Sequence, residues 1–526
     1  MTGAGGNKGM PMHSSRSGMV VALLAAAGAA LASGCAVGPD FHRPKAPDNT
    51  GYAPAPLPQQ TAQSDLHAGE AQHLAIGSEL QFQWWESFQS PALNTLIEQS
   101  LKNNPSITAA QAALRQAREL TYAQEGYFFP SVDSSYQFER HKISGNLTND
   151  QAPGVQGDGH NLLPPLQNPD GPPYTAPLYY DFHTAEVSVG FVPDVFGSNR
   201  RQVESLAAQT QAQAFALEAT YITLAANVAA AAIQEASLRA QLQAAREIID
   251  LNSKSLDVLR QQFRLGMAMR IDVAAQEAAL AQARAALPPL EKQFEQTRDL
   301  IRALVGNLPN QDVTETFTLD ALQLPRELPI SVPGKLIEQR PDVRAAEAQL
   351  HAVNAQVGVA VAAMLPQLSI TGSVGGNADE IPWLFRTGGS FWNLVGNVTQ
   401  PVFQGGTLLH QKRAAEQALK QAAAQYRLTV ITAYQNVADS LHAVISDADA
   451  LTADREAEQA AKVTLDLTQR QMEVGYVNYL TLLSAQAAYQ QALVNRVQAQ
   501  AARFSDTVAL FEALGGGWWN RKPQPQ

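Results

Sequence analysis

The chain is poor in several things that a soluble enzyme of its size would carry. Its 526 residues include one cysteine, which excludes an intrachain disulfide framework, a multi-thiolate zinc site and a dithiol redox pair. Charged residues make up 16%, against roughly 25% in ordinary soluble domains. Positive charge is the scarcer sign, with 37 Lys+Arg against 48 Asp+Glu. A formal charge of −11 leaves no electrostatic footprint for nucleic acid, and none is expected as a partner. No run of 18 or more apolar residues is free of polar interruption, which argues against a helical membrane-spanning protein. The ten histidines make no HExxH pattern and no metal-ligand pairing with the cysteine. No Gly-rich phosphate loop follows a strand. The sequence therefore predicts no enzyme, no metal and no nucleotide.

The single cysteine is informative by its position. Lys8 and Arg16 precede an apolar stretch from Met19 that fades through Ala and Gly to Ser33. That is the pattern of a signal peptide, too short to span a bilayer stably. It ends Leu31-Ala32-Ser33-Gly34-Cys35, which resembles a bacterial lipobox with Ala32 in place of the usual Leu. The resemblance implies cleavage after residue 34 and a covalent lipid on Cys35, with no other cofactor. Ala36 follows rather than Asp, so anchorage at the outer membrane is implied. Residues 35–80 are rich in Pro and Gln and read as an extended tether or belt in which no core forms.

The rest of the chain is written twice. Pro105 to Pro130 and Pro341 to Pro366 enclose helical segments of equal length. Asn227-Val228-Ala229 recurs as Asn436-Val437-Ala438, Gly266 as Gly475 and Gly306 as Gly515, all at an offset of 209. Prolines, asparagines and glycines do not stay in register by compositional accident. Residues 81–310 and 333–519 are therefore two structural repeats, joined by a linker over 311–332 and followed by a tail from 520 to 526.

Each repeat reads helix, strand, loop, strand, very long helix, Gly turn, long helix. Val132, Ser134, Tyr136 and Phe138 alternate with Asp133, Ser135, Gln137 and Glu139, and a return strand sets Ala185, Val187, Val189 and Phe191 against Glu186, Ser188 and Gly190. The second repeat offers Leu368, Ile370 and Val374, then Trp392, Leu394 and Val398. Such alternation marks either an ordinary half-buried sheet or transmembrane barrel strands. Residues 140–182 form a connection too long for a compact domain, and aromatics gather near the strand ends (Tyr127, Phe128, Phe129, Tyr179, Tyr180, Phe182, Phe191, Phe196, Phe385, Phe391, Trp392, Phe403), both of which favour the barrel. Four strands cannot enclose a lumen, so membrane-spanning strands require an oligomer.

Arg200 to Phe263 contains neither proline nor glycine, a helix of roughly 95 Å. Its seam runs from Leu217 through Val228, Glu235, Leu242 and Asn252 to Phe263 at coiled-coil spacing. In the counterpart from Tyr426 to Met472, Asp447, Asp454 and Glu458 fall on the stripe, so that helix meets its surroundings differently. The helices turn at Leu265-Gly266-Met267 and Val474-Gly475-Tyr476. Asn478 can cap the next helix, whereas Met269 cannot and Asp272 suits the first turn by charge.

Trp84-Trp85-Glu86-Ser87-Phe88 with Asn104-Pro105, Leu336-Ile337-Glu338-Gln339-Arg340-Pro341-Asp342-Val343, Asp194-Val195-Phe196-Gly197 with Arg200-Arg201, and Leu514-Gly515-Gly516-Gly517-Trp518 together resemble TolC-like outer-membrane factors, in their OprM-like lipoprotein branch. The resemblance implies an internally duplicated α+β membrane protein with four transmembrane strands and long coiled-coil helices per chain. It implies a homotrimer with a 12-stranded β-barrel and a periplasmic α-helical barrel, lipid-anchored in the outer membrane. It further implies a passive exit duct for drugs and small toxic molecules, with a periplasmic adaptor and an inner-membrane resistance-nodulation-division pump as partners. Adaptor contacts map to Leu265, Gly266, Met267, Val474, Gly475 and Tyr476. The constriction maps to Leu480 and to Ser484, which stands where relatives carry Asp, with Asp272 as a substitute acid. The alternatives are a type I secretion duct and a lipid-anchored coiled-coil scaffold without a pore.

Overall fold

The computed structural model describes residues 36–47, 51–143, 178–474 and 476–521. Cys35, Gly475 and most of the long connection expected over 140–182 lie outside them. The described elements are β1 (His73–Ile76), a 3-10 turn (Trp84–Phe88), α1 (Pro91–Asn103), α2 (Pro105–Glu125), β2 (Ser131–Ile143), β3 (Leu178–Phe191), α3 (Ser198–Arg264), α4 (Arg270–Val305), β4 (Glu327–Ile330), α5 (Pro333–Gln339), α6 (Pro341–Ala362), β5 (Gln367–Ala378), β6 (Ser390–Thr399), α7 (Thr407–Glu473) and α8 (Tyr479–Ala513). The two repeats thus alternate as the sequence requires. Two boundaries differ from the sequence reading. Strands β2 and β3 reach Ile143 and Leu178, shortening the connection expected over 140–182. Helix α7 starts at Thr407, well before the recognisable stripe at Tyr426, because Ala, Gln and Lys propagate a helix without needing an apolar face.

The chain forms two compact units. The first comprises Leu120–Leu206, Val353–Ala418 and the described residues up to Asp40. Its sheet is antiparallel in the order β2-β3-β5-β6, and Ser134, Val187, Val374 and Trp392 lie side by side across it. The start of α3 is built by local chemistry: the Asp194 carboxylate accepts the amides of Asn199 (2.9 Å) and Arg200 (2.8 Å), capping the helix. Buried Arg201 then donates to Asp40 and Glu204, each at 2.7 Å, and to the Val37 carbonyl at 3.1 Å. Gly358 permits this, since a Cβ there would lie 2.8 Å from both the Val37 oxygen and the Arg201 side chain.

The second unit, Phe41–Glu119, Ala207–Ala352 and Leu419–Gln526, holds the main core. Trp84, Trp85 and Phe88 pack with Leu93, Leu96 and Ile97 of α1 and with Phe504 and Phe511 of α8. Strand β1 pairs in parallel with β4, bringing residues 73–76 beside 327–330. The stripe on α3 is buried as expected from Leu224 to Leu259. On α7 the seam instead passes through Val437, Leu441, Val444, Ala448 and Leu451, which turns Asp447 and Asp454 to its flank.

One expectation is overturned here. The Pro-rich segment read as unable to join a core does so: Ala68 and Leu74 belong to the main cluster. The anchor is Arg503 of α8, 1% exposed, which donates to the carbonyls of Ala68 (2.6 Å) and Glu70 (3.1 Å) and to the side chains of Gln72 (3.1 Å) and Thr61 (3.3 Å). One guanidinium fork satisfies four acceptors, so a segment with few apolar side chains is held by its backbone.

Candidate functional site: the strand faces and the helix tips

Two regions carry the features that a conduit needs. In the sheet, pairing places residues of opposite character on opposite faces. Val132, Tyr136, Phe138, Val187, Val189, Ile370, Val374, Trp392, Leu394 and Val398 share one face, all exposed. The other face carries Asp133, Ser135, Gln137, Glu139, Thr184, Glu186, Ser188, Thr371, Ser373, Asn393 and Asn397. Among the described strand residues, that polar face has three acids and no lysine or arginine. Arg140 lies on the apolar side, paired with Asp181 at 3.6 Å. Strand register corrects the aromatic girdle read from the sequence. Phe182 is opposite Glu139, and Phe391 is opposite Gly375, so both belong to the polar face. Clustering in sequence does not encode a face, whereas register does.

At the far ends of the long helices the chain turns twice by the same device. Gly266 has φ +76°, and the Met267 amide donates to the Gln262 carbonyl at 2.8 Å, the pattern of a left-handed helix stop. The Tyr476 amide makes the equivalent bond to Gln471, also at 2.8 Å. Helix α4 starts with the Met269 amide donating to Asp272 at 3.1 Å. Helix α8 starts with Asn478 accepting the Thr481 amide at 3.0 Å. Both starts match the sequence reading.

Leu265, Met267, Val474 and Tyr476 are exposed, Tyr476 to 84%. Apolar side chains of this size at such exposure are left uncovered by the described residues. Leu480 and Ser484 stand one turn apart on an exposed face of α8. They line a groove of about 1,000 Å³ together with Ala275, Ala279, Gln282 and Gln491. Asp272 is not brought to that groove, since its carboxylate faces the Met269 amide.

Behind these tips lies a buried polar chain that the sequence did not disclose. Tyr479 donates its hydroxyl proton to Oε1 of Gln276, and Nε2 of Gln276 donates to the Asn252 carbonyl at 2.8 Å and its Oδ1 at 3.0 Å. Burial and then the nearby Asp272 charge push the Tyr479 hydroxyl up to about 12, so it stays a donor. The chain joins α3, α4 and α8 within a shell of Leu256, Leu259, Val273, Leu280, Leu465 and Leu482. The only available signal was Asn252, an amide on a seam whose other polar member is Glu235. Its partners are remote in sequence.

Comparison with known proteins agrees with this arrangement. The chain is similar to the toluene efflux pump outer membrane protein TtgF of Pseudomonas putida (28% identity over 497 residues, 94% of this chain and 96% of that one). It is likewise similar to the pyoverdine export outer membrane protein OpmQ of Pseudomonas aeruginosa (27% over 469 residues, 89% and 94%). Among solved structures, the outer-membrane channel OprN superposes with a TM-score of 0.78 at 26% identity, covering 92% of this chain and 100% of that one. The Campylobacter jejuni CmeC outer membrane channel shares the fold with a TM-score of 0.77 at 20% identity, covering 93% and 96%. The sequence model of the outer membrane efflux protein family matches residues 96–307 and 332–516, both repeats. With sheet, long helices and duplication all accounted for, this chain belongs to the outer membrane efflux protein family and is an outer-membrane channel of tripartite efflux.

Proposed function

We propose that the protein acts as a homotrimer, a passive exit duct that does no chemistry on what it carries. The observation that carries this reading is the sheet itself. Among the described residues its outer strands β2 and β6 each have an unpaired edge, which a bilayer does not tolerate. Three such sheets joined edge to edge give the twelve strands of a closed barrel. The apolar face then meets lipid and the acid-lined face meets water.

The exposed tips suit a periplasmic adaptor, which would cover Leu265, Met267, Val474 and Tyr476 with Gly266 and Gly475 between them. An inner-membrane resistance-nodulation-division pump would supply the energy. The names of relatives that export toluene and pyoverdine favour small-molecule efflux over protein secretion, and a lipid on Cys35 would add an anchor. Leu480 and Ser484 would narrow the closed end.

Electron microscopy of the detergent-purified protein tests the assembly. Rings with threefold averages are expected, and single chains without an end-view ring would refute the duct. The acids of the polar face suit a cation preference set in the barrel and not by the Ser484 position. In bilayers, Asp133→Asn with Glu186→Gln is expected to move the reversal potential in a salt gradient toward zero. An unchanged potential would show that the selectivity lies elsewhere.

A further inference from the structure

We propose that Pro288 and Pro289 form a hinge at which α4 bends when the channel opens, so that the tip half of the first helical hairpin moves while its other half stays fixed. This rests on the duct reading above. Two consecutive prolines lie inside the 36-residue helix. Neither has an amide proton, so the carbonyls of Arg284 and Ala285 have no in-helix donor, and each ring presses on the preceding turn.

What surrounds the pair turns a local weakness into a joint. On the tip side, Val273, Gln276 and Leu280 are buried in the small apolar cluster. On the other side, Thr297, Arg298, Ile301 and Val305 are buried. Arg298 is bolted there to Asp312 (2.9 Å), the Glu315 carbonyl (2.7 Å) and Glu235 (3.4 Å). Asn104 donates to the Leu304 carbonyl at 2.7 Å just beyond. Between these anchors, residues 281–296 contain no buried side chain. Open space flanks that stretch twice. The groove of about 1,000 Å³ is lined by Ala283, Ala286, Pro289 and Leu290. A second cavity of about 820 Å³ is lined by Arg246, Glu291, Phe294 and Glu295. A helix fixed by buried side chains at both ends, held between them by surface contacts from Arg246 to Glu291 (3.4 Å) and Arg239 to the Phe294 ring (5.2 Å), and broken there in its hydrogen bonding bends at that point. The second repeat has no such joint. The offset of 209 maps Pro288 onto Val497, which is buried along with Gln500, Ala501, Arg503 and Phe504. The two hairpins, alike in sequence plan, differ in stiffness.

The test compares the full-length protein with its Pro288→Ala/Pro289→Ala variant by hydrogen–deuterium exchange and by bilayer conductance. The variant regains both in-helix donors. Its amides over 284–294 are expected to exchange at least tenfold more slowly, with 273–280 and 297–305 unchanged, and its open time is expected to fall severalfold. Pro289→Ala alone restores one donor and gives an intermediate result. Unchanged exchange over 284–294 overturns the hinge, and slowed exchange with unchanged opening overturns its role in opening. A wild-type protein that passes no current refutes the duct reading instead, and the exchange comparison then judges the hinge on its own.

Discussion

Among the described residues, a buried carboxylate oxygen of Asp447 on α7 has no hydrogen-bond partner, and the Asp506 carboxyl of α8 lies near enough to act on it. Partial burial and then the neighbouring Asp506 carboxyl push the Asp447 carboxyl up from 3.8 to about 7, against the opposing charge of Arg503. An acid whose pKa is higher in the folded state binds its proton more tightly there. The contribution of Asp447 to folded stability is therefore greatest below pH 4, falls as pH rises from about 4 to about 7, and stays at its lower value above. At about 1.4 kcal/mol per pH unit the loss is ~4 kcal/mol. Water reaches a good part of the side chain, and screening reduces this to ~2 kcal/mol. Asp447→Asn cannot ionise and sets no second charge beside Asp506 at any pH. In that variant, exchange of the α7 amides around 440–451 at pH 8 is expected to be roughly 30-fold slower than in wild type, after correction for the intrinsic pH dependence. The difference should vanish at pH 4. A variant that exchanges faster at pH 8, or whose difference from wild type is the same at both pH values, refutes the raised Asp447 carboxyl.

Arg503→Ala leaves the Ala68 and Glu70 carbonyls without their donor and is expected to cost ~3–5 kcal/mol locally. Limited proteolysis should then cut within 59–76 first, and an unaltered cleavage pattern would count against the anchor. Tyr479→Phe deprives buried Gln276 of its donor at a cost of ~1–3 kcal/mol. It should raise the resting conductance of the channel in bilayers, and a resting conductance equal to that of wild type would show that the polar chain does not hold the tips together.

The duplication, the four strands and the course of α3 were legible because each is periodic and local: prolines and glycines at fixed offsets, alternation along strands, a seam along a helix. The tip turns were legible for the same reason, since Gly266 and Asn478 act on neighbours a few residues away. Arg503 was not, because its partners lie more than 430 residues off in a segment whose composition suggests no packing. Tyr479 and Gln276 meet only across two hairpins, and neither residue type is unusual on a helix. Phe182 and Phe391 were assigned to a girdle by proximity, although only strand register could tell which face they occupy. Pro288 and Pro289 invite a helix break by propensity, but anchors at both ends carry α4 through them.

The grip of Arg503 on residues 61–72 also has a consequence for biogenesis. Thr61 and Arg503 are joined across 442 positions of chain, and Gln72 reaches Thr507 across 435. Contacts of such separation form last in folding, after the loops between them have closed. Residues 61–72 therefore stay unfastened while both repeats emerge and until α8 arrives. The protein can fasten its beginning only once its end has been delivered.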